Sequence, residues 1–248
     1  MKTIGTTYQT IVCLGLAAAA GLMAQPPAGM RGGFGFGAIS NRVITGAPFS
    51  ATETTQSQQT LANGNQIQHQ EQEKIYRDSE GRVRTDTTFT PPASSGQAAR
   101  TVTTISDPVA GYVYRLNPAN MTAVQRPIPQ PPTTGSNAPK RGPRGAAQGV
   151  QVQTQDLGTQ TINGVVATGT QTTTTIPAGA IGNTQALEMV RTTWVSTALQ
   201  IPVQVTVMDP RSGNRAMNLT NIVQAEPDAS LFQIPAGYTV TTGGRRGR

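Results

Sequence analysis

The chain has 248 residues and a formal charge of +7, yet only 12% of it is charged and 4% aromatic, against about 25% charged in an ordinary domain. One cysteine and one histidine exclude a disulfide framework and a cysteine-rich metal centre, and leave little for nucleophilic chemistry. Its 37 threonines and 23 glutamines suit a β protein solvated without charge, because β-branched threonine fits a pleated surface and its hydroxyl meets water or a cross-strand neighbour.

In chain order, Lys2 precedes an apolar run from Ile11 to Ala24. That run is short of the ~18 residues a spanning helix needs, so residues 1–24 read as a secretory signal, with cleavage after Ala24 or, as the alternative, after Ala20. An exported protein, periplasmic or extracellular, is the expectation. Cys13 lies inside the run behind Ile11 and Val12, a poor setting for lipidation. Residues 25–49 are Gly/Pro-rich without periodicity and read as flexible. Their glycines lack the strand before and helix after that a phosphate loop requires.

From residue 50 to 240 the pattern is that of a single β domain, large enough for one core. Ser50 to Leu61 and Asn65 to Arg77 form a pair whose Asn63-Gly64 matches a tight primed turn, and Arg82 to Thr90 continues it. On the second strand one face carries Ile67, His69, Glu71, Glu73 and Ile75. Alternate residues sit ~6.5–7 Å apart, so these side chains share a face but need ligands from neighbouring strands to close a metal site; no metal is expected. Arg100 to Asp107 and Tyr112 to Pro118 make another hairpin, with Tyr112, Tyr114 and Leu116 on one core-facing side. Thr122 to Ile128 adds a strand. Residues 127–149, rich in proline, form a long loop within the domain, since they cannot pair as a central strand. Val150 to Ile162 and Val165 to Ile176 flank Asn163-Gly164 and repeat the hairpin chemistry. Trp194 lies on the next strand, Leu199 to Met208 alternates apolar and polar, and Arg215 to Val223 follows the turn 209–213.

The basic charge is confined to particular segments. Lys2 leaves with the signal, Lys140, Arg141 and Arg144 lie in the Pro-rich loop, and Arg245, Arg246 and Arg248 lie in the tail 241–248; the remaining 12 basic residues balance 12 acidic ones. Nucleic-acid binding is therefore not expected. The two basic segments are candidates for contact with anionic surfaces.

The run Pro227-Asp228-Ala229-Ser230-Leu231-Phe232, then Ile234-Pro235-Ala236-Gly237-Tyr238, following Trp194-Val195-Ser196 and two strands, resembles the lipoprotein-sorting (periplasmic lipoprotein carrier-like) superfamily. Lys74-Ile75-Tyr76-Arg77-Asp78, Ile105-Ser106-Asp107-Pro108 and Tyr112-Val113-Tyr114-Arg115-Leu116-Asn117-Pro118 fit the same pattern. The resemblance implies a mainly β fold with little helix: an antiparallel, incompletely closed β-barrel, or half-barrel, whose concave face can hold acyl chains. Carriers of this kind begin with a helix over the barrel mouth, and residues 25–49 show no helical apolar period.

Two functions follow. The first is a non-catalytic structural or interaction domain of the cell envelope with a filled core. The alternative is a carrier or sensor of a lipid or other apolar ligand, lodged against Met189, Trp194, Met208, Met217 and Phe232. No paired carboxylates, nucleophile elbow or cofactor motif is present, so neither an enzyme nor a cofactor is expected.

Overall fold

The computed structural model describes residues 43–89, 96–128 and 149–243. The secretory signal, residues 25–42, most of the Pro-rich loop and the basic residues Lys140, Arg141, Arg144, Arg245, Arg246 and Arg248 lie outside them. Twelve strands form one sheet: β1 Phe49–Thr60, β2 Gln66–Arg77, β3 Val83–Phe89, β4 Arg100–Asp107, β5 Tyr112–Asn117, β6 Thr122–Pro127, β7 Gln151–Ile162, β8 Val165–Ile176, β9 Leu187–Ser196, β10 Ile201–Asp209, β11 Gly213–Val223 and β12 Thr239–Thr242. Their spatial order is β12-β6-β5-β4-β3-β2-β1-β11-β10-β9-β8-β7. The chain thus builds one half from β1 outward and the other inward from β7, and β1 meets β11 at the centre. The sheet does not close, and the only helical element among the described residues is a 3-10 turn at Ala229–Phe232.

The two Asn-Gly pairs fold differently. At Asn163-Gly164 both residues adopt positive φ (49° and 85°) and Ile162 pairs directly with Val165, the two-residue primed turn that right-twisted strands favour. At Asn63-Gly64 only the glycine is left-handed, and Thr60 pairs with Gln66 across a five-residue loop in which the Leu61 amide donates to the Asn65 carbonyl at 2.8 Å. The dipeptide permits the tight turn, and the flanking register decides whether it is used.

Curvature is fixed by packing across distant strands. Phe49, Ala51 and Ile75 of β1 and β2 share one core with Ile162, Val165 and Ala167 of the β7–β8 hairpin and with Leu199, Ile201, Val203 and Leu219. Strands that lie so far apart in the sheet order touch only if the sheet curls around this face. The Asn163 side-chain amide closes the curl by donating to the Leu219 carbonyl of β11 at 2.5 Å. Ladder shifts in β10 (Pro202/Gln204) and β11 (opposite Ser50/Thr52) supply the bulges that bend such sheets.

A second, smaller core lies on the other face. Through unshifted ladders Tyr76 faces Arg84, Arg84 faces Ile105, and Ile105 faces Tyr114, the set opposite to Ile75. There Ile105, Leu116 and Ala123 pack with Tyr114, Ile234 and Tyr238. Residues 224–243 cross this outer face as a strap and end as β12, which pairs with β6 in parallel. The resemblance implies an antiparallel sheet; the parallel edge arises because the strap brings β12 alongside β6 after crossing the face. Leu199, expected on a strand, sits in the turn before β10, where Gln200 takes a φ of 57° and the Ser196 hydroxyl accepts from the Leu199 amide. Ile44, Ala47 and Phe49, assigned by sequence to the Gly/Pro-rich lead-in, pack in the main core.

Candidate functional site

The wrapped inner face is filled by the chain's own side chains. Phe49, Ile75, Ile201, Val203 and Leu219 are each 0% exposed. Among them Arg77 is 1% exposed. Its guanidinium donates from Nε and Nη2 to the Ala47 carbonyl (2.9 and 2.7 Å) and from Nη2 to the Leu199 carbonyl (2.7 Å), and it stacks 4.8 Å from the Phe49 ring centroid. Burial pushes its pKa down to about 10, so it remains a cation at neutral pH. One buried side chain thus ties the lead-in to the β9–β10 turn across the curl.

Further along the same face, Glu53 of β1 stands directly opposite Glu73 of β2. Glu53 is 5% exposed and its Oε1 accepts from the Thr55 hydroxyl at 3.2 Å; the Glu73 Oε1 accepts from Thr87 at 2.9 Å. Burial raises the Glu73 pKa above its usual value, and Glu71 and Asp86 add to the rise against the lowering bonds from Thr87 and Thr85. His69 is exposed and paired in the ladder with Ser57. Among the described residues no group of three or more His, Cys, Asp or Glu could hold a metal. The face carries acid and hydroxyl groups held by strands.

A cleft of about 540 Å³ follows the far ends of the four central strands, lined by residues 56–58 of β1, 68–70 of β2, 206–208 of β10 and 214–216 of β11. Glutamine, asparagine, serine and threonine dominate it, with Met208 and Val207 as the large apolar members. Such a lining offers amide and hydroxyl donors and acceptors beside His69, Arg215 and a comparable share of apolar surface.

No family model and no curated protein matches the chain. Several solved structures do resemble it. An uncharacterized conserved protein from Thermus thermophilus aligns with 82% of the chain and 93% of its own length, at 12% identity and a TM-score of 0.39. The MucA/MucB complex of Pseudomonas aeruginosa aligns over 82% and 60% at 14% identity and 0.42, so the chain spans about three fifths of that protein. A LolA superfamily protein from Nitrosomonas europaea aligns over 78% and 94% at 9% identity and 0.34.

Within this open sheet the five residues expected to line an apolar site lie apart. Met217 is 1% exposed on the inner face, opposite Thr55 and Val205. Trp194 packs half-buried against the main core and lies over Gly169, whose absent Cβ would stand 2.5 Å from the ring. Phe232 belongs to the strap, beneath the Arg82 guanidinium. Met189 pairs with Thr174 on β8, and Met208 is 58% exposed. The sequence reading does not single out Arg77 or Glu53. The signal was available for Arg77: it sits two residues after Ile75 and so shares its buried face.

Proposed function

We propose that the chain is a non-catalytic, exported envelope domain that acts through surface interaction, on a carrier-like half-barrel that does not carry lipid. The observation supporting this is the filled inner face, where five large apolar side chains at 0% exposure and the Arg77 clamp occupy the space an acyl chain would need. The described cleft presents amides and hydroxyls together with His69 and Arg215, which suits a polar partner. Lys140, Arg141, Arg144, Arg245, Arg246 and Arg248 supply an auxiliary, salt-sensitive contact with anionic surfaces.

Native mass spectrometry of the mature protein, produced by export and purified without detergent, tests the reading. The expected spectrum shows the bare polypeptide before and after incubation with envelope lipids. A discrete lipid-sized adduct that disappears on Trp194→Ala or Phe232→Ala, in variants that stay folded, would replace it with a carrier of apolar ligands.

A further inference from the structure

The face of the sheet that carries Ile75 and Arg77 continues uncovered onto β3 to β6. Through unshifted ladders Ile75 faces Thr85, Thr85 faces Thr104, Thr104 faces Arg115 and Arg115 faces Val124; in the next row Arg77 faces Val83, followed by Ser106, Val113 and Arg126. Directly paired residues share a face. Phe89 and Arg100 pair further along it, with the guanidinium 5.6 Å from the ring centroid. No residue of this face on β3 to β6 is buried, and Arg100, Arg115 and Arg126 are exposed. The opposite face of the same strands buries Ile105, Leu116 and Ala123 beneath the strap and holds Asp86 and Asp107. Charge is thus segregated on these four strands: the open face has three cations and no acid, whereas an ordinary surface intersperses both signs. The nearest acid of the face along the sheet, Glu73, stands on β2, three strands from Arg115. None of the four ion pairs among the described residues uses these three arginines.

From this arrangement we infer that the open face of β3 to β6 binds an acidic polysaccharide. The inference rests on the reading of the chain as an interaction domain and names the chemistry of its partner. All twelve acidic residues of the chain are among the described residues, and none lies on this face of β3 to β6. No undescribed segment of the same chain can therefore neutralise it, and the counter-charge comes from another molecule. Arg115 and Arg126 stand on neighbouring strands offset by two residues, about 7–8 Å apart, and Arg100 lies roughly 14 Å from Arg115. That diagonal suits a linear chain of repeated carboxylates, each able to accept two parallel N–H bonds from a guanidinium. Thr85, Thr104 and Ser106 place hydroxyls beside the cations, where they can donate to and accept from sugar hydroxyls, and Val113 and Val124 offer apolar contact to ring C–H groups. The face lies on the concave side of the curl, which a flexible strand can enter and a flat bilayer cannot. A nucleic acid would need stacking platforms, and the single aromatic ring of this face, Phe89, already lies beneath Arg100. At the β12 edge the Gly243 amide donates to the Gln125 carbonyl at 2.9 Å, and a Cβ on Gly243 would stand 2.9 Å from the Arg126 Nε. Arg245, Arg246 and Arg248 follow Gly243 in sequence, so three more cations lie within five residues of that point.

Fluorescence anisotropy of labelled polygalacturonate fragments, titrated with the full exported protein, is the test. Binding is expected, weakening at least about tenfold between roughly 0.05 and 0.3 M NaCl, with none to labelled uncharged dextran. Arg115→Gln with Arg126→Gln should lower affinity at least about tenfold, in a variant whose melting temperature matches the parent. Arg115→Lys with Arg126→Lys should fall between the two, since lysine keeps the charge and loses the fork. Lys74→Gln with Arg215→Gln removes the same charge from exposed positions on β2 and β11 and should change affinity less than about twofold. A chain ending at Gly243 should bind more weakly than the parent and still lose affinity on the Arg115→Gln, Arg126→Gln change. The inference is overturned by no binding to polygalacturonate, by a glutamine pair at positions 115 and 126 that binds as well as the Lys74, Arg215 control, or by poly-L-glutamate or anionic phospholipid vesicles binding as tightly as polygalacturonate. A bare mass spectrum with no polygalacturonate binding removes the glycan face and spares the interaction-domain reading, whereas a lipid adduct removes both.

Discussion

Arg77 shows how much a single residue can decide. A cation at 1% exposure is tolerated because two carbonyls and an aromatic face replace its water, and removing such a partner leaves those carbonyls unsatisfied. Arg77→Met should lower unfolding free energy by about 3 kcal/mol in urea titrations, with a smaller loss for Arg77→Lys, which keeps the charge but not the forked geometry. Glu73 acts in the opposite sense. Its folded pKa lies above the usual 4.5, so its stabilising contribution is full below about pH 4.5 and is lost as pH rises through the raised value. Glu73→Gln should therefore flatten that fall and stabilise the protein at neutral pH by up to about 1 kcal/mol, the scale of like charges paired across strands. Thermal melts of both proteins from acid to mildly alkaline pH check this; a steeper fall in the variant would contradict it.

At the scale of elements, the period-two pattern carries most of the legible information. Alternation in Leu199 to Met208 placed Val203 and Val205 inward, and the core positions follow. Alternation could not show that Leu199 leaves the strand, because the same apolar residue is buried from a turn. Nor could the Asn-Gly dipeptide distinguish a two-residue turn from a five-residue loop, since the choice lies in the register of strands twelve residues long. Asn163 has a second role that no local pattern reveals, the bond to Leu219. Asn163→Ala should cost about 2 kcal/mol, combining strain at positive φ with the lost bond, whereas Asn63→Ala, where only Gly64 is left-handed, should cost under about 0.5 kcal/mol. Denaturant midpoints of the two variants, compared side by side, make the contrast measurable.

Across the whole molecule, one sheet carries cores on both faces. The larger is wrapped by the curl and the smaller is covered by the C-terminal strap. Burial of Phe232 (5% exposed) and of Ile105 and Leu116 (0% and 4%) depends on that strap. A chain ending at Gln224 should lose on the order of 5 kcal/mol, at roughly 1.5–3 kcal/mol per large apolar side chain, and should bind a hydrophobic dye at the β3–β6 end. An unchanged melting temperature would show the strap to be peripheral.

Composition, alternation and turn chemistry by themselves determined a mainly β fold, the bounds of ten strands (β1 to β8, β10 and β11) to within about two residues, and the scarcity of thiol and imidazole groups, because these are properties of residue type and short-range spacing; they did not reveal β12. The resemblance carried by the C-terminal run added the incompletely closed sheet. Strand order, the parallel edge, the buried Arg77 and the opposed Glu53 and Glu73 were decided only by the tertiary structure, since each depends on residues brought together from distant parts of the chain. The same holds for the scattering of Met189, Trp194, Met208, Met217 and Phe232. Side-chain size predicts that a residue will be buried somewhere, but the register of the ladders and the path of the strap determine against which neighbours.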